Sequence, residues 1–256
     1  MNTKNYKVKL SIITACKNES ATIAKTIESV IAQTFDCYEY IVVDGGSVDG
    51  TLNIIKTYQN KISHIISEPD RGIWHAMNKG ILLASGEYIY FLNAGDRLFD
   101  RDTLSRIFRS NDINEDIIYG NIIDDYGDRQ IQKNYSDTIS IRYLLGNMIC
   151  HQAIFTKKEL FNKFGYFNER YKYVSDYDFL WRCIIKNKAS YKHLAQTIAY
   201  YDMNGLTANP DNREMLVREW LTVHNDNLAF IQHAYFLFIR PFLVKVRNFI
   251  FKAGAD

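Results

Sequence analysis

Between residues 7 and 92 a short apolar run ends in a polar, acid-bearing turn four times, and segments of helical periodicity separate the runs. The runs are residues 7–15, 38–43, 64–66 and 88–92, and helices are expected at 21–32, 51–58 and 73–84. β-Branched and aromatic residues suit strand interiors. In the first helix Ile23, Ile27, Val30 and Ile31 share one face, and Ser20 stands where an N-cap is expected. Strand–helix–strand order with crossovers this long predicts parallel pairing. Right-handed crossovers then bring all four strand ends to one edge of the sheet.

Those ends carry Glu19, Asp44, Asp70 with Arg71, and Asp96. An acid just past a buried strand is poorly explained by packing, and ligands of open α/β sheets bind beyond the carboxyl ends of the strands. One such loop is usually only a cap or a turn. Four converging on one edge favour a ligand site. Two readings of Asp96 stand side by side: it holds a divalent cation that in turn holds a diphosphate, or it caps the segment 100–109. Asp49 is read as a cap for the helix at Thr51, whereas Asp44, one residue past Ile-Val-Val, is harder to explain locally.

Other site classes are excluded. The glycines after the second strand read GGxxxG (Gly45, Gly46, Gly50), not the dinucleotide-binding GxGxxG, and no Walker A or HExxH sequence occurs. A net charge of +2 gives no argument for nucleic acid. Cys16, Cys37, Cys150 and Cys183 show no metal-binding spacing, and a reduced, cytoplasmic setting is expected. No apolar run reaches the ~20 residues that span a bilayer. Aromatics make up 14%, with 18 Tyr and 15 Phe, which suits either a sugar-binding surface or an aromatic core.

From residue 102 the pattern changes. Expected are a helix at 103–109, a strand at 116–119, a hairpin over 121–133 around Gly127, a helix at 138–145 and a buried strand at 149–155. His151 and Gln152 lie inside that strand and are read either as satisfied core residues or as acceptor-side substrate contacts. Thr156 to Glu159 has the form of a capping box opening a helix that Gly165 ends. A further helix begins near Asp176, which is either its N-cap or a general base for a hydroxyl nucleophile. Asp176 and Asp178 cannot share a helix face, so their jobs differ. An edge strand is expected at 191–201 and a long helix at 211–233, with Leu216, Val217, Trp220, Leu221, His224 and Leu228 on one side. Residues 235–252 are apolar, with Arg240, Lys245, Arg247 and Lys252 as their only charges. That composition suits the interfacial plane of an anionic membrane, at the inner face of the cytoplasmic membrane. The alternative is a helix packed on the domain or on a second subunit.

The stretches SIITACKNE, YIVVDGGSVDGT, SEPDRGIWHAMNKGI and GEYIYFLNAGD, in that order and spacing, resemble the family-2 glycosyltransferases of bacterial polysaccharide and O-antigen synthesis. HQAIF and SDYDFLWR extend the resemblance to about residue 205. It implies a GT-A fold: an α/β, Rossmann-like, mostly parallel sheet flanked by helices. A nucleotide-sugar half at 1–100, an acceptor half at 101–205 and a C-terminal helical extension at 206–256 are expected. It further implies a nucleotide-diphosphate sugar donor, inversion at the anomeric carbon, and Mg2+ or Mn2+ at the DxD-type turn; a glycan or lipid-linked acceptor is expected, the lipid link resting on the basic C-terminus. By position, Ala15, Glu19 and Asp44 would line the nucleoside pocket, with Asp70 and Asn78 around the base and ribose. Residues 93–96, with Asn93 and Ala94, take the place of the DxD-type motif and put Asp96 on the metal; Asp176 matches the base. Arg71 would neutralise a phosphate or stand solvated. Asn93 and Gly95 stand where many members have aspartates, His75 where close relatives have Asp, and Ser175 where many have Glu. A degenerate sugar-nucleotide-binding protein is the rival reading that those departures motivate. A nucleotidyltransferase would want a Gly-rich, basic loop near the start of the chain, and none is present.

Overall fold

The computed structural model describes residues 8–109, 112–203, 205 and 212–228. The basic, aromatic segment expected to meet a membrane lies outside them. Among the described residues no helix is long and apolar enough to cross a membrane.

Strands β1 (Leu10–Cys16), β2 (Tyr38–Asp44), β3 (His64–Ser67) and β4 (Tyr88–Phe91) pair in parallel in the order β3-β2-β1-β4. The register aligns their carboxyl ends, with Cys16 opposite Asp44 and Asp44 opposite Ser67. The sheet continues through β8 (Ile154–Lys157), β6 (Ile117–Asp125) and β9 (Tyr191–Asp202) to the short β5 (Arg97–Leu98). There β4–β8, β8–β6 and β9–β5 are antiparallel and β6–β9 is parallel. The expected hairpin is β6 with β7 (Gln130–Lys133), turning at Gly127 with φ 84°.

Both faces of the parallel half are covered, which is why its strands read as continuous apolar runs. Leu10, Ile12, Tyr40, Val42, Tyr88 and Tyr90 pack on one side beneath α1 (Ile23–Ile31), α2 (Thr51–Thr57) and α4 (Thr103–Phe108). Ile13, Ile41, Val43, Ile89 and Phe91 pack on the other beneath α3 (Ile73–Leu83) and α6 (Lys158–Phe164). The second half adds α5 (Ile141–Leu144), α7 (Ser175–Leu180) and α8 (Arg213–Asn227). On α8, Val223, His224 and Leu228 are buried, but Val217 and Leu221 are exposed, so the covered stripe is narrower than expected.

Several local expectations give way to tertiary contacts. Ser20 does not cap α1: Thr22 is the N-cap residue, and the Ser20 amide donates to Asp49 Oδ2 (3.0 Å). Thr156 is no capping box, because its backbone is held in β8, opposite Ile89 and Ile117. The segment 149–155 is not one strand. His151–Ala153 forms a 3-10 turn closed by the Ala153 amide on Cys150 O (2.9 Å), and β8 starts only at Ile154. Strand β9 is not a plain edge, since β5 covers Ala199 and Tyr200. Residues 138–145 shrink to the four-residue α5, capped by Ser140 Oγ.

Strand β4 is entered over Gly86, whose amide donates to Ser11 Oγ (2.8 Å); a Cβ there would lie 2.6 Å from Ser11 N in β1. Gly86→Ala therefore forces backbones apart. Overpacking of this kind costs about 1–3 kcal/mol. Thermal denaturation of this variant is expected to show Tm lowered by several degrees, and an unchanged Tm would contradict the close approach.

Candidate active site

A cleft of about 830 Å³ opens beyond the carboxyl ends of β1, β3 and β4, within the size range of small-molecule sites. The first two loops are stitched together beside it. Asn18, in the left-handed region at φ 56°, donates its amide to Ser47 Oγ (2.8 Å) and accepts from the Val48 amide (3.0 Å); the Glu19 amide donates to Thr51 Oγ1 (2.7 Å). Ala94 is drawn against β1 by its amide on Ala15 O (3.3 Å). Thr26 of α1 props the turn from behind, donating to Asp96 O (2.7 Å) and accepting from the Gly95 amide (3.1 Å).

The 3-10 turn at residues 151–153 joins the two key acids. Gln152 Nε2 donates to Asp96 Oδ2 (2.7 Å), while His151 Nδ1 meets Asp176 Oδ2 (3.0 Å). Asn93 Nδ2 meets His151 Nε2 (2.9 Å). The Asp176 carboxylate only accepts, so Nδ1 carries a proton and donates it to Asp176. The Tyr177 amide holds Asp176 Oδ1 (2.8 Å), and Val174 is the N-cap residue of α7, so Asp176 is not the cap. Asp178 faces away and pairs with Arg182 (2.9 Å), as the helix geometry requires.

Of the expected residues, Ala15, Glu19, Asp70, Arg71, Asn93, Ala94, Asp96, His151, Gln152 and Asp176 all line this cleft. Asp44 does not. It is fully buried under the wall and accepts from the Ser47 amide (3.1 Å), the Ser47 hydroxyl and Ser67 Oγ (2.7 Å), tying β2 to β3. Asn78 does not either: it clamps α3 to the loop after α6 through Phe167 O (2.9 Å) and the Phe167 amide (3.1 Å). Arg71 pairs with Glu169 (2.7 Å) at the exposed rim. Cys16 lines the cleft, but burial and the Asp44 carboxylate push its thiol up, so it stays neutral and unreactive.

Three residues escaped the sequence reading. Asp202 ends β9 beside Asp96, and its amide donates to Asp96 Oδ1 (2.9 Å). It is an acid closing an apolar run, the signal already used for the first four strands. Trp74, at the start of α3, and Tyr173, three residues before Asp176, also line the cleft. Only the position of each beside a flagged motif could have drawn attention.

This architecture is that of the GT-A fold. TarS from S. aureus, solved as residues 1–349 in complex with UDP, superposes with a TM-score of 0.66 at 20% identity, covering 90% of this chain and 69% of that one. A mannosyltransferase from Pyrobaculum calidifontis, PcManGT, solved with GDP-Man and Mn2+, superposes with a TM-score of 0.58 at 15% identity, covering 93% and 81%. In sequence, a PGL/p-HBAD biosynthesis glycosyltransferase of Mycobacterium bovis is 33% identical over 215 residues, 81% of this chain and 82% of its own. The family described as Glycosyl transferase family 2 matches residues 11–185. The chain belongs to that family and is a glycosyltransferase.

Enzymes of this fold typically use a divalent cation. Asp96, with Asp202 beside it, offers the hard oxygen donors such an ion prefers. Lining carboxylates (Glu19, Asp70, Asp96, Asp176, Asp202) outnumber lining cations (Lys17, Arg71, Lys172), so a diphosphate would be repelled without a counter-ion. Among the described residues no group of three or more His, Cys, Asp or Glu could hold a metal. The two acids, Asp96 and Asp202, fit an ion that the protein would hold by few ligands and phosphate by the rest.

Burial raises the Asp96 carboxyl from 3.8 to about 7, with the nearby Asp202 carboxylate adding to the effect and the Asp202 amide and Gln152 opposing it. Between those values the folded protein binds more protons than the unfolded chain, so this group makes stability fall as pH rises. In EDTA, the Tm of Asp96→Asn minus that of wild type is expected to grow from about pH 4 to about pH 7 and to level above it. A flat difference would mean that Asp96 is not strained by burial.

Proposed function

We propose that this glycosyltransferase moves a sugar from a nucleotide-diphosphate donor to a hydroxyl of a glycan or lipid-linked acceptor, with inversion, in surface polysaccharide synthesis. The observation that carries the reading is the single turn that holds Asp96 and Asp176 in one cleft through adjacent side chains. Asp176 takes the proton from the acceptor hydroxyl, that oxygen attacks the anomeric carbon, and the bond to the diphosphate breaks on the opposite face. Held at Oδ1 by the Tyr177 amide and at Oδ2 by His151, the carboxylate keeps one orientation while each oxygen retains a lone pair for the proton. Its advantage lies in placement rather than strong basicity. Asp96 and Asp202 would hold the cation, which would supply positive charge to the diphosphate. Glu19, Ala15 and Asp70 form the donor side, and His151 acts as the positioning residue for Asp176. Support for a lipid-linked acceptor, met at the inner face of the cytoplasmic membrane, comes from the basic, aromatic sequence of residues 235–252.

The test is a nucleotide-release assay with a panel of UDP- and GDP-sugars, in Mn2+ or EDTA. Asp176→Asn is expected to lower kcat by about 10²–10⁴-fold. His151→Ala removes one charge-assisted hydrogen bond and is expected to lower kcat by about 10–100-fold with donor KM little changed. Turnover intact in Asp176→Asn would refute the base assignment.

A further inference from the structure

Three carboxylates crowd one corner of the fold, and a single guanidinium ties them together. Asp96 closes the turn after β4, Asp125 ends β6 and Asp202 ends β9. Asp125 and Asp202 are direct partners in the parallel β6–β9 ladder. The Asp202 amide donates to Asp96 Oδ1 (2.9 Å), and a Cβ on Gly95 would lie 2.9 Å from Asp202 Oδ2, so the end of β9 is pressed against the turn. Like charges gathered this closely repel, and the end of β9 must be held in place against them. The backbone tether is short: β5 offers only Arg97 and Leu98, paired with Tyr200 and Ala199.

The Arg97 side chain adds a second tether. Its Nη1 donates to Asp125 Oδ2 (2.6 Å), and its guanidinium lies 3.6 Å from the centroid of the Tyr200 ring, two residues before Asp202. Phe99 stacks on the same ring (5.6 Å between centroids). Asp125 in turn accepts the Met203 amide at its carbonyl (2.9 Å), which fixes the residue after Asp202 to β6. Arg97 follows Asp96 directly in the chain, so one side chain links the turn to both strands that end at this corner. Its side chain is 20% exposed and that of Asp125 13%, so solvent screens the pair only in part. A planar fork that stacks on a ring while donating to a carboxylate is a geometry that lysine does not reproduce. Arg97 does not line the cleft, so it reaches the site through Asp202 and not by touching a ligand.

Resting on the reading that Asp96 and Asp202 would share a cation, we propose that Arg97 is a positioning residue for that pair: clamped on Tyr200 and Asp125, it holds the Asp202 carboxylate beside Asp96. Charge alone and positioning predict opposite signs. A guanidinium near a cation site repels the cation, so removing its charge would tighten Mn2+ binding if only through-space electrostatics mattered. Loss of positioning weakens it.

The affinity of the full chain for Mn2+ is measured by electron paramagnetic resonance of the free ion, in saturating UDP and separately in saturating GDP. Wild type, Arg97→Gln, Arg97→Lys, Asp202→Asn and the double variant Arg97→Gln with Asp202→Asn are compared, each checked for cooperative thermal unfolding in EDTA. Arg97→Gln is expected to weaken Mn2+ about tenfold, and Arg97→Lys to recover part of the loss. In the Asp202→Asn background Arg97→Gln is expected to change Mn2+ affinity little, because the carboxylate it positions is gone. If Asp202→Asn weakens Mn2+ but Arg97→Gln leaves it equal or tighter, or if the two losses simply add, Arg97 does not position Asp202 and the cation reading stands. Should Arg97→Gln fail to unfold cooperatively, full wild-type Mn2+ affinity in Arg97→Lys would overturn the stacked clamp. If wild type binds no Mn2+ in either nucleotide, or Asp202→Asn binds it as tightly as wild type, the shared-cation reading fails and the role of Arg97 falls with it.

Discussion

Adjacency in the chain sets the distance between the two acids of the site. His151 and Gln152 are neighbours in a single 3-10 turn, and each holds one of them, Asp176 at 3.0 Å and Asp96 at 2.7 Å. The turn is itself referenced to the parallel half of the sheet, because Tyr90 of β4 donates its hydroxyl to Gln152 O (2.9 Å) and Asn93, two residues after β4, meets His151. The other end of the span is fixed by α8, where Glu219 accepts the amides of Lys172 (2.7 Å) and Tyr173 (2.8 Å) just before α7 begins. Asp176 is thus located by three elements distant in sequence. Each oxygen of both acids has a donor, which orders a site otherwise destabilised by like charge.

The site costs stability that other parts of the fold must supply. A buried carboxyl and four unsatisfied polar atoms lie around one cleft. Beneath it is a dense aromatic core, with Tyr90 stacked on Phe155 (4.4 Å between ring centroids) and Phe161 on Phe179 (4.3 Å). Offset-stacked pairs add about 0.5–1.5 kcal/mol each beyond the area they bury. Part of the high aromatic content is scaffold: Tyr40, Tyr88, Tyr90, Tyr119 and Tyr177 are fully buried, so those rings build the core rather than a sugar-facing surface. The arrangement follows the general trade between function and stability.

The first half of the chain was legible because period and punctuation agreed there. Strands buried on both faces, amphipathic helices and acid-bearing turns repeat in register, and the four strand ends do meet on one edge. The second half was legible only in its motifs. His151 sits in an apolar run that reads as strand, and only the contacts of its turn with Tyr90 and Tyr135 decide otherwise. Thr156 to Glu159 has the letters of a capping box, but two ladders claim its first residue. Asp44 and Asn78 illustrate the opposite limit. Both lie in motifs that mark the site, yet each spends its polar atoms holding that motif in shape. Pattern identifies which loops matter; which side chain of a loop faces the cleft depends on partners far away in sequence.

The departures at Asn93 and Gly95 make sense in the same terms. Gly95 has φ 97°, where a side chain is strained, and a Cβ there would lie 2.9 Å from Asp202 Oδ2. An aspartate at 95 would therefore be strained in its backbone and pressed against a carboxylate already next to Asp96. Asn93, in turn, must donate through its amide to His151 Nε2, a role that a carboxylate could fill only by placing the imidazole proton on the wrong nitrogen or adding a second one. With Asn at 93, the ring keeps its donor for Asp176. With Gly at 95, the second carboxylate beside Asp96 comes from the end of β9 instead of from the turn.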